Sequence, residues 1–533
     1  MGRAENRNRV AGRTPGGVPR RAALAAGGGA LAATLLTGCD GDGGGDDAKP
    51  PASAPGSASS ASATPTATRS TAPVKPDWTA LATSLDGTLV RPQDSAYALD
   101  HRLYNTRFDS LRPAAVAYVT GADDIRTCLD FARRTATTPV VRSGGHSYAG
   151  WSSGTGRLIV DVSKLDSIRL DGTTATIGAG AKLIDVYNTL AQHGRTVPGG
   201  SCPSVGVSGL ALGGGHGVMS RSMGLTCDNL TGATLITADG RSHEVSADAE
   251  PDVFWALRGA GNGNFGVVTS LTFATHPVPE VVTGYLTWPW SRAADLVRGW
   301  QGWGPDLPDT IWSALDLNCT VGQTPTVSVA LTSTGSRDDL AAAADRLATA
   351  AGSPASSVSL RPHTYVDAMF SYAGCEGRSA AQCHLAPAGS LERDTYTARS
   401  DFYDVNLPDG GVEALVGQMQ RLAGQSGGGA GSIALTALGG AVNRPSPTAT
   451  AFAHRGSRFL AQYLASRELA DTSWLGDTHT AMRRYASGGA YQNYTDPTLT
   501  DWRTAYYGQN AERLTALKKQ LDPGRLFDFP QAL

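Results

Sequence analysis

The stretch Arg142-Ser143-Gly144-Gly145-His146-Ser147-Tyr148 sets a histidine in a glycine loop, and Gly224-Leu225-Thr226-Cys227-Asp228-Asn229 sets a cysteine beside a glycine eighty-one positions later. Glycines permit positive φ and let backbone approach a ligand more closely than a Cβ would allow. An imidazole nitrogen can add to the 8α-methyl of an isoalloxazine ring, and a thiolate can add to its C6. The pair is therefore expected to hold one flavin by two covalent bonds. Both residues must then reach one edge of one ring, so the fold has to bring two distant loops together.

The intervening sequence is organised to do this. Ala115-Val116-Ala117-Tyr118-Val119 has strand character, and Gly121-Ala122-Asp123-Asp124 opens a helix predicted to run to Arg134, its acidic residues favouring the helix start. Val140-Val141 then enters the glycine loop. Residues 158–162 and 175–178 read as strands, and residues 182–193 as an amphipathic helix. Residues 233–237 and 267–273 read as strands too, with a hairpin turn at Asp239-Gly240 after the first. Beyond Pro277 and Pro279, strands such as 326–331 and 432–436 are separated by helical stretches at 338–351 and 412–422. The class is α+β. The expected organisation is a flavin domain over 78–279, a substrate domain over 280–484 with its sheet covered by helices, and a closing segment, 485–533, containing an amphipathic helix over 510–521.

On these motifs the chain resembles the berberine-bridge-enzyme-like FAD-linked oxidases of the vanillyl-alcohol-oxidase superfamily, over residues 104–533. Residues 140–153 are similar to that family's pyrophosphate loop with its flavinylated histidine. Residues 204–217, ending Gly213-Gly214-Gly215-His216-Gly217, are similar to its second FAD-contacting segment, and residues 224–229 to the segment bearing the cysteinyl linkage. Tyr491-Gln492-Asn493-Tyr494, Tyr506-Tyr507-Gly508-Gln509-Asn510 and Leu521-Asp522-Pro523-Gly524 fit its closing motif. The resemblance implies a two-part FAD-binding domain of the PCMH type and an antiparallel sheet in the substrate domain. It implies FAD bound bicovalently through His146 and Cys227. Further cofactor contacts are expected from Arg142, Ser143, Gly144, Gly145, Ser147, Gly209, Gly214, His216, Gly217, Gly266, Val268 and Asn493.

The candidate chemical group is Tyr491, Tyr494 and Tyr148, with Gln462. If residues 491–494 form a strand, Tyr491 and Asn493 point to one face and Gln492 and Tyr494 to the other. Tyr491 is then the favoured base, its pKa near 10 needing to be lowered to act at neutral pH. Gln462 stands where, by resemblance, some relatives carry an acidic base. An amide cannot take a proton that way, so amine-oxidising ring closure is disfavoured and alcohol or sugar chemistry favoured. The expected activity is removal of hydride from a carbon bearing a hydroxyl, with reoxidation by O2. The rival reading is an extracytoplasmic binding lipoprotein without turnover.

Several patterns point elsewhere and fail. Gly261-Asn262-Gly263-Asn264-Phe265-Gly266 matches G-x-G-x-x-G, yet a helix precedes it and a strand follows, the reverse of a dinucleotide site. Gly424-Gln425-Ser426-Gly427-Gly428 spells a hydrolase elbow but lies after a helix in a glycine-rich loop. No metal-ligand spacing is present. A net charge of −2, from 45 basic and 47 acidic residues, gives no electrostatic case for nucleic acid.

The N-terminus reads as an export device. Arg20-Arg21 precedes a weakly apolar run, and Leu36-Thr37-Gly38-Cys39 closes it like a lipobox, so residues 1–39 are expected to be a twin-arginine lipoprotein signal with Cys39 lipidated. A Sec signal or a short membrane span is the alternative. Residues 40–77 are too poor in large apolar side chains to fold and read as a tether. The expected location is the outer face of the cell membrane, with Cys39 the sole membrane contact. Cys375 and Cys383, eight apart in a polar loop, are a candidate disulfide, with free thiols the alternative.

Overall fold

The computed structural model describes residues 73–533, so the twin arginine, Cys39 and most of the expected tether lie outside the described residues. Three main sheets carry the chain. Strands β1 (Thr88–Val90), β2 (Ala115–Tyr118), β3 (Pro139–Arg142) and β4 (Leu158–Asp161) form the first, in the order β1-β2-β4-β3. Strands β2 and β3 both run parallel to β4, and helix Ala122–Thr135 supplies the crossover between them. Asp124 in its first turn accepts N–H bonds from Asp86 at 2.8 Å and Thr120 at 2.8 Å, which fixes the helix start against β1.

The second sheet contains β5 (Ile168–Asp171) and β6 (Thr174–Gly178). After a short ribbon strand, β7 (Arg195–Thr196), it continues with β8 (Leu230–Ile236), β9 (Ser242–Ser246) and β10 (Val267–Ala274). Its order is β5-β6-β10-β8-β9, antiparallel throughout. The turn at Asp239-Gly240, with Gly240 at φ +86°, closes the β8–β9 hairpin as its sequence predicts. Strand β11 (His276–Pro277) pairs with β7.

The third sheet has seven antiparallel strands: β12 (Val281–Trp288), β13 (Ile311–Thr320), β14 (Thr326–Ser333), β15 (Ser357–His363), β16 (Tyr396–Tyr403), β17 (Ala430–Ala437) and β18 (Phe459–Ser466). Their order is β15-β12-β14-β13-β17-β18-β16. Side chains alternate between its faces. Leu315, Leu317, Ile433, Leu435 and Tyr463 turn to one face, which packs against helices Ala293–Trp303, Arg337–Ala350, Asp409–Ala423 and Trp474–Arg483. Each such aliphatic contributes about 2 kcal/mol by burial. Trp312, Ala314, Asp316, Ala434 and Gln462 turn to the other face, toward the flavin-domain loops.

Two features lock the halves together. Arg221, 1% exposed, lies in the flavin domain and donates to the carbonyls of Ile311 at 2.8 Å, Pro305 at 2.9 Å, Leu307 and Leu438. The chain then returns: Tyr491, Leu514, Phe527 and Leu533 share the flavin-domain core. Helix Ala511–Leu521 aims the buried Lys518 ammonium at the Asn264 carbonyl at 2.7 Å and the Asp522 carboxylate at 2.6 Å.

Cys375 and Cys383 form a disulfide with a Cα separation of 6.0 Å. Among the described residues, no helix is long and apolar enough to cross a membrane.

Candidate active site

A cavity of about 370 Å³ opens between the third sheet and the loops of the first two, within the size range of small-molecule sites. Its first wall is the loop after β3. The parallel register sets Arg142 beside Asp161, and their side chains form an ion pair with both partners almost fully buried. Ser143 donates to the Ala179 carbonyl at 2.7 Å, and so does Ser208 of the second glycine segment. The two loops therefore hang from one carbonyl. Gly144 and Gly206 touch backbone to backbone, and a Cβ on either would collide with the opposite loop. Gly145 sits at φ +70°, where a side chain is strained.

This loop fits an anionic cofactor. Among the described residues, the N–H groups of residues 144–148 donate to no protein acceptor, which leaves a run of successive amides available to phosphate oxygens. Orphaned buried polar atoms also line the cavity: Ser152 Oγ, His216 Nδ1 and Asn262 Oδ1. Buried polar groups left without partners mark a place that a ligand completes.

His146 lines the cavity, its ring stacked on Tyr104 at 4.1 Å and its Nε2 2.9 Å from Ser204 Oγ. Burial, and after it the Lys182 ammonium, pushes its pKa down to about 3, so the imidazole is neutral and nucleophilic at physiological pH.

Cys227 is not where the sequence reading puts it. It is fully buried, does not line the cavity, and lies behind its wall, where Arg455 pairs with Asp228 at 2.5 Å. Its thiol is raised well above the ordinary range, first by burial and then by Asp228. Cys202, in Gly199-Gly200-Ser201-Cys202-Pro203-Ser204, lines the cavity instead, two residues from the Ser204 that bonds His146. Burial pushes its thiol up to about 11. The available signal was the Gly199-Gly200-Ser201 run immediately before a cysteine, just ahead of the second FAD-contacting segment.

Other expected contacts divide. Ser143, Gly144, Gly145, Ser147, Gly209, His216, Gly217 and Asn493 line the cavity. Arg142 stands one layer behind, holding the loop through Asp161. Gly214, Gly266 and Val268 do not reach the cavity: Gly214 faces Phe452 and Tyr491, and Gly266 backs onto the Ile236 carbonyl. Val268 is buried within β10. Asn262 and Gly263 of the G-x-G-x-x-G pattern do line it, between helix Pro251–Leu257 and β10. Ser426 is exposed in a loop.

The tyrosines converge, but not on a strand. Residues Gln492–Tyr494 form a 3-10 turn, so the strand-facing argument does not apply and Tyr491 and Tyr494 meet with ring centroids 5.0 Å apart. The Tyr491 hydroxyl oxygen accepts from Gly215 N–H at 2.8 Å and Asn493 Nδ2 at 2.9 Å. Burial raises its pKa; these two donors oppose the rise. Tyr494 and His216 Nε2 lie 2.7 Å apart in a hydrogen bond whose direction follows the histidine tautomer, and burial pushes His216 down to about 4, so its ring is neutral. Tyr148 stacks on Tyr494 at 5.1 Å, and Gln462 Nε2 on β18 donates to its hydroxyl at 2.9 Å.

Two family models match the chain: an FAD binding domain over residues 113–246 and a berberine and berberine-like domain over residues 490–533. An FAD-linked oxidoreductase of Bacillus subtilis is 29% identical over 85% of this chain and 97% of its own length. The xylooligosaccharide oxidase of Thermothelomyces thermophilus is 30% identical over 79% of this chain and 87% of that one. The structure of Physcomitrella patens BBE-like 1 superposes with a TM-score of 0.78 at 28% identity, covering 85% of this chain and 98% of its own.

Proposed function

The chain belongs to the berberine-bridge-enzyme-like FAD-linked oxidoreductases, and from that premise we propose that it oxidises a C–OH group of a carbohydrate or other alcohol, with FAD held bicovalently by His146 and Cys202. Bound FAD would supply the hydride acceptor, the part of the chemistry that no side chain can perform.

The carrying observation is convergence. A neutral imidazole, a cavity-lining thiol, a set of unpaired amides and three tyrosines share one chamber. The amides of residues 144–148 would hold the cofactor's phosphates, and the Tyr104 ring holds the His146 imidazole in place from its stacked face. Tyr491, as its tyrosinate, takes the substrate hydroxyl proton, which requires the Gly215 and Asn493 donors and the bound cofactor to offset the burial that raises its pKa. Its oxygen already receives two N–H donors, so negative charge developing there meets preorganised dipoles. Gln462 and His216 position the Tyr148 and Tyr494 hydroxyls, and the Tyr494 ring packs edge-on to Tyr491. The relatives named for oligosaccharide oxidation support a saccharide substrate and reoxidation by O2.

Purified protein, screened for oxygen consumption against xylo-, cello- and chitooligosaccharides and simple alcohols, tests this reading. Turnover with a saccharide and a protein-bound yellow colour that survives denaturation are expected. A flavin-replete preparation that neither bleaches nor consumes oxygen with any alcohol-bearing substrate would overturn it.

A further inference from the structure

One carboxylate in the cavity has no role in this scheme. Asp316 on β13 is 5% exposed and lines the chamber, and its Oδ1 has no hydrogen-bond partner. Strand register places it in a row across the sheet, paired with Ser328 on β14 and Ala434 on β17, with Ala434 in turn paired to Gln462 on β18. At about 4.8 Å per strand, Asp316 lies roughly 10 Å from Gln462 along the cavity floor. The same sheet face lines the chamber with the small Ala314, Ala434 and Thr436, and with Trp312, which packs edge-on to Tyr372.

A lone carboxylate in such a place is costly. No lysine or arginine is among the cavity-lining residues, and the other lining carboxylate, Asp528, is paired with Arg525 at 2.8 Å. Burial alone pushes the Asp316 carboxyl up to about 7, with no neighbouring charge contributing. A buried anion without a counter-charge is destabilising, and a cation brought beside it recovers that loss. A hydroxyl, by contrast, returns only part of the lost solvation.

We propose that Asp316 is the counter-ion for a protonated amine on the substrate, carried by a unit beyond the one being oxidised. The substrate class is then an amino-sugar oligosaccharide or a comparably long amino alcohol, and the cavity disfavours uronic acids and other anions. The inference rests on the alcohol-oxidoreductase reading and adds a charge requirement to it.

The test is calorimetric titration of the flavin-loaded protein at neutral pH with three disaccharides: the glucosamine dimer, its N,N′-diacetyl form and cellobiose. The glucosamine dimer is expected to bind at least about tenfold more tightly than the two neutral sugars, roughly 1.4 kcal/mol, and Asp316→Asn to bring the three to parity. Equal binding in the wild type, no measurable binding of the glucosamine dimer, or a preference that survives Asp316→Asn overturns the proposal. Turnover is followed separately. Oxidation of all three sugars with equal KM removes the counter-ion and leaves the oxidoreductase reading. A binding preference without oxidation of any of them does the reverse.

Discussion

Removing the Cys202 thiol should strip one of two bonds from the flavin and leave the other. With Cys202→Ala, acid-denatured protein should remain yellow through His146, and mass spectrometry should find FAD on the His146 peptide alone. Cys227→Ala should leave a flavin bridging the His146 and Cys202 peptides, and should cost roughly 1 kcal/mol for the small buried group removed. The rate of bond formation follows from the site. With the Cys202 thiol near 11, the thiolate is about 3 × 10⁻⁴ of the population at pH 7.5 and rises tenfold with each pH unit. Apoprotein made under flavin limitation, mixed with FAD and quenched at intervals, should therefore acquire the Cys202 linkage about 100-fold faster at pH 9 than at pH 7. The His146 linkage should change little over that range, because its imidazole is already neutral. A doubly linked flavin in Cys202→Ala, or a singly linked one in Cys227→Ala, would refute the assignment.

Tyr491→Phe should keep the covalent flavin but slow anaerobic flavin reduction about 10²–10⁴-fold; it orphans the Gly215 amide, at about 1–3 kcal/mol, while Asn493 keeps its second acceptor at Leu210. Tyr494→Phe should slow it less, with Tyr148→Phe between; reduction at the wild-type rate in Tyr491→Phe would move the base to one of the other two. His146, His216 and His454, held near 3, 4 and 4 by burial against 6.5 when unfolded, bind fewer protons folded than unfolded. Stability should therefore fall as pH drops from about 6.5 to 4, which thermal melts across that window would show. Asp316 has the opposite sign, so Asp316→Asn should raise the melting temperature more at pH 8 than at pH 5. Arg20-Arg21→Lys-Lys should block export, and Cys39→Ala should release the protein without loss of flavin; cell fractionation decides both.

What the sequence made legible followed periodicity and glycine. The helix that opens beside Asp123 and Asp124, the Asp239-Gly240 hairpin and the loop around His146 were readable because local chemistry decides them. Depth was not readable. Cys202 and Cys227 both neighbour glycines, and only the packed chain shows that one lines the chamber while the other sits behind the Arg455–Asp228 pair. Residues 491–494 could be written as a strand by alternation, yet the hydrogen bonds that hold them, to Gly215 and Leu210, come from some 280 residues away. Asp316 carries a signal in the sequence itself: a single charge in the otherwise apolar Ala314-Leu315-Asp316-Leu317.

The return of residues 490–533 to the first domain sets a schedule for biogenesis. Tyr491, Asn493 and Phe527 are walls of the chamber, and Lys518 is pinned to the Asn264 carbonyl beside it. A chain in which residues 490–533 have not yet docked lacks these walls, however well its first two sheets have formed. Flavin capture therefore has to await the docking of residues 490–533, and chains truncated before Tyr491 should be colourless rather than partly loaded. Colour would then serve as a proofreading mark: a yellow molecule would be one in which residues 490–533 have docked.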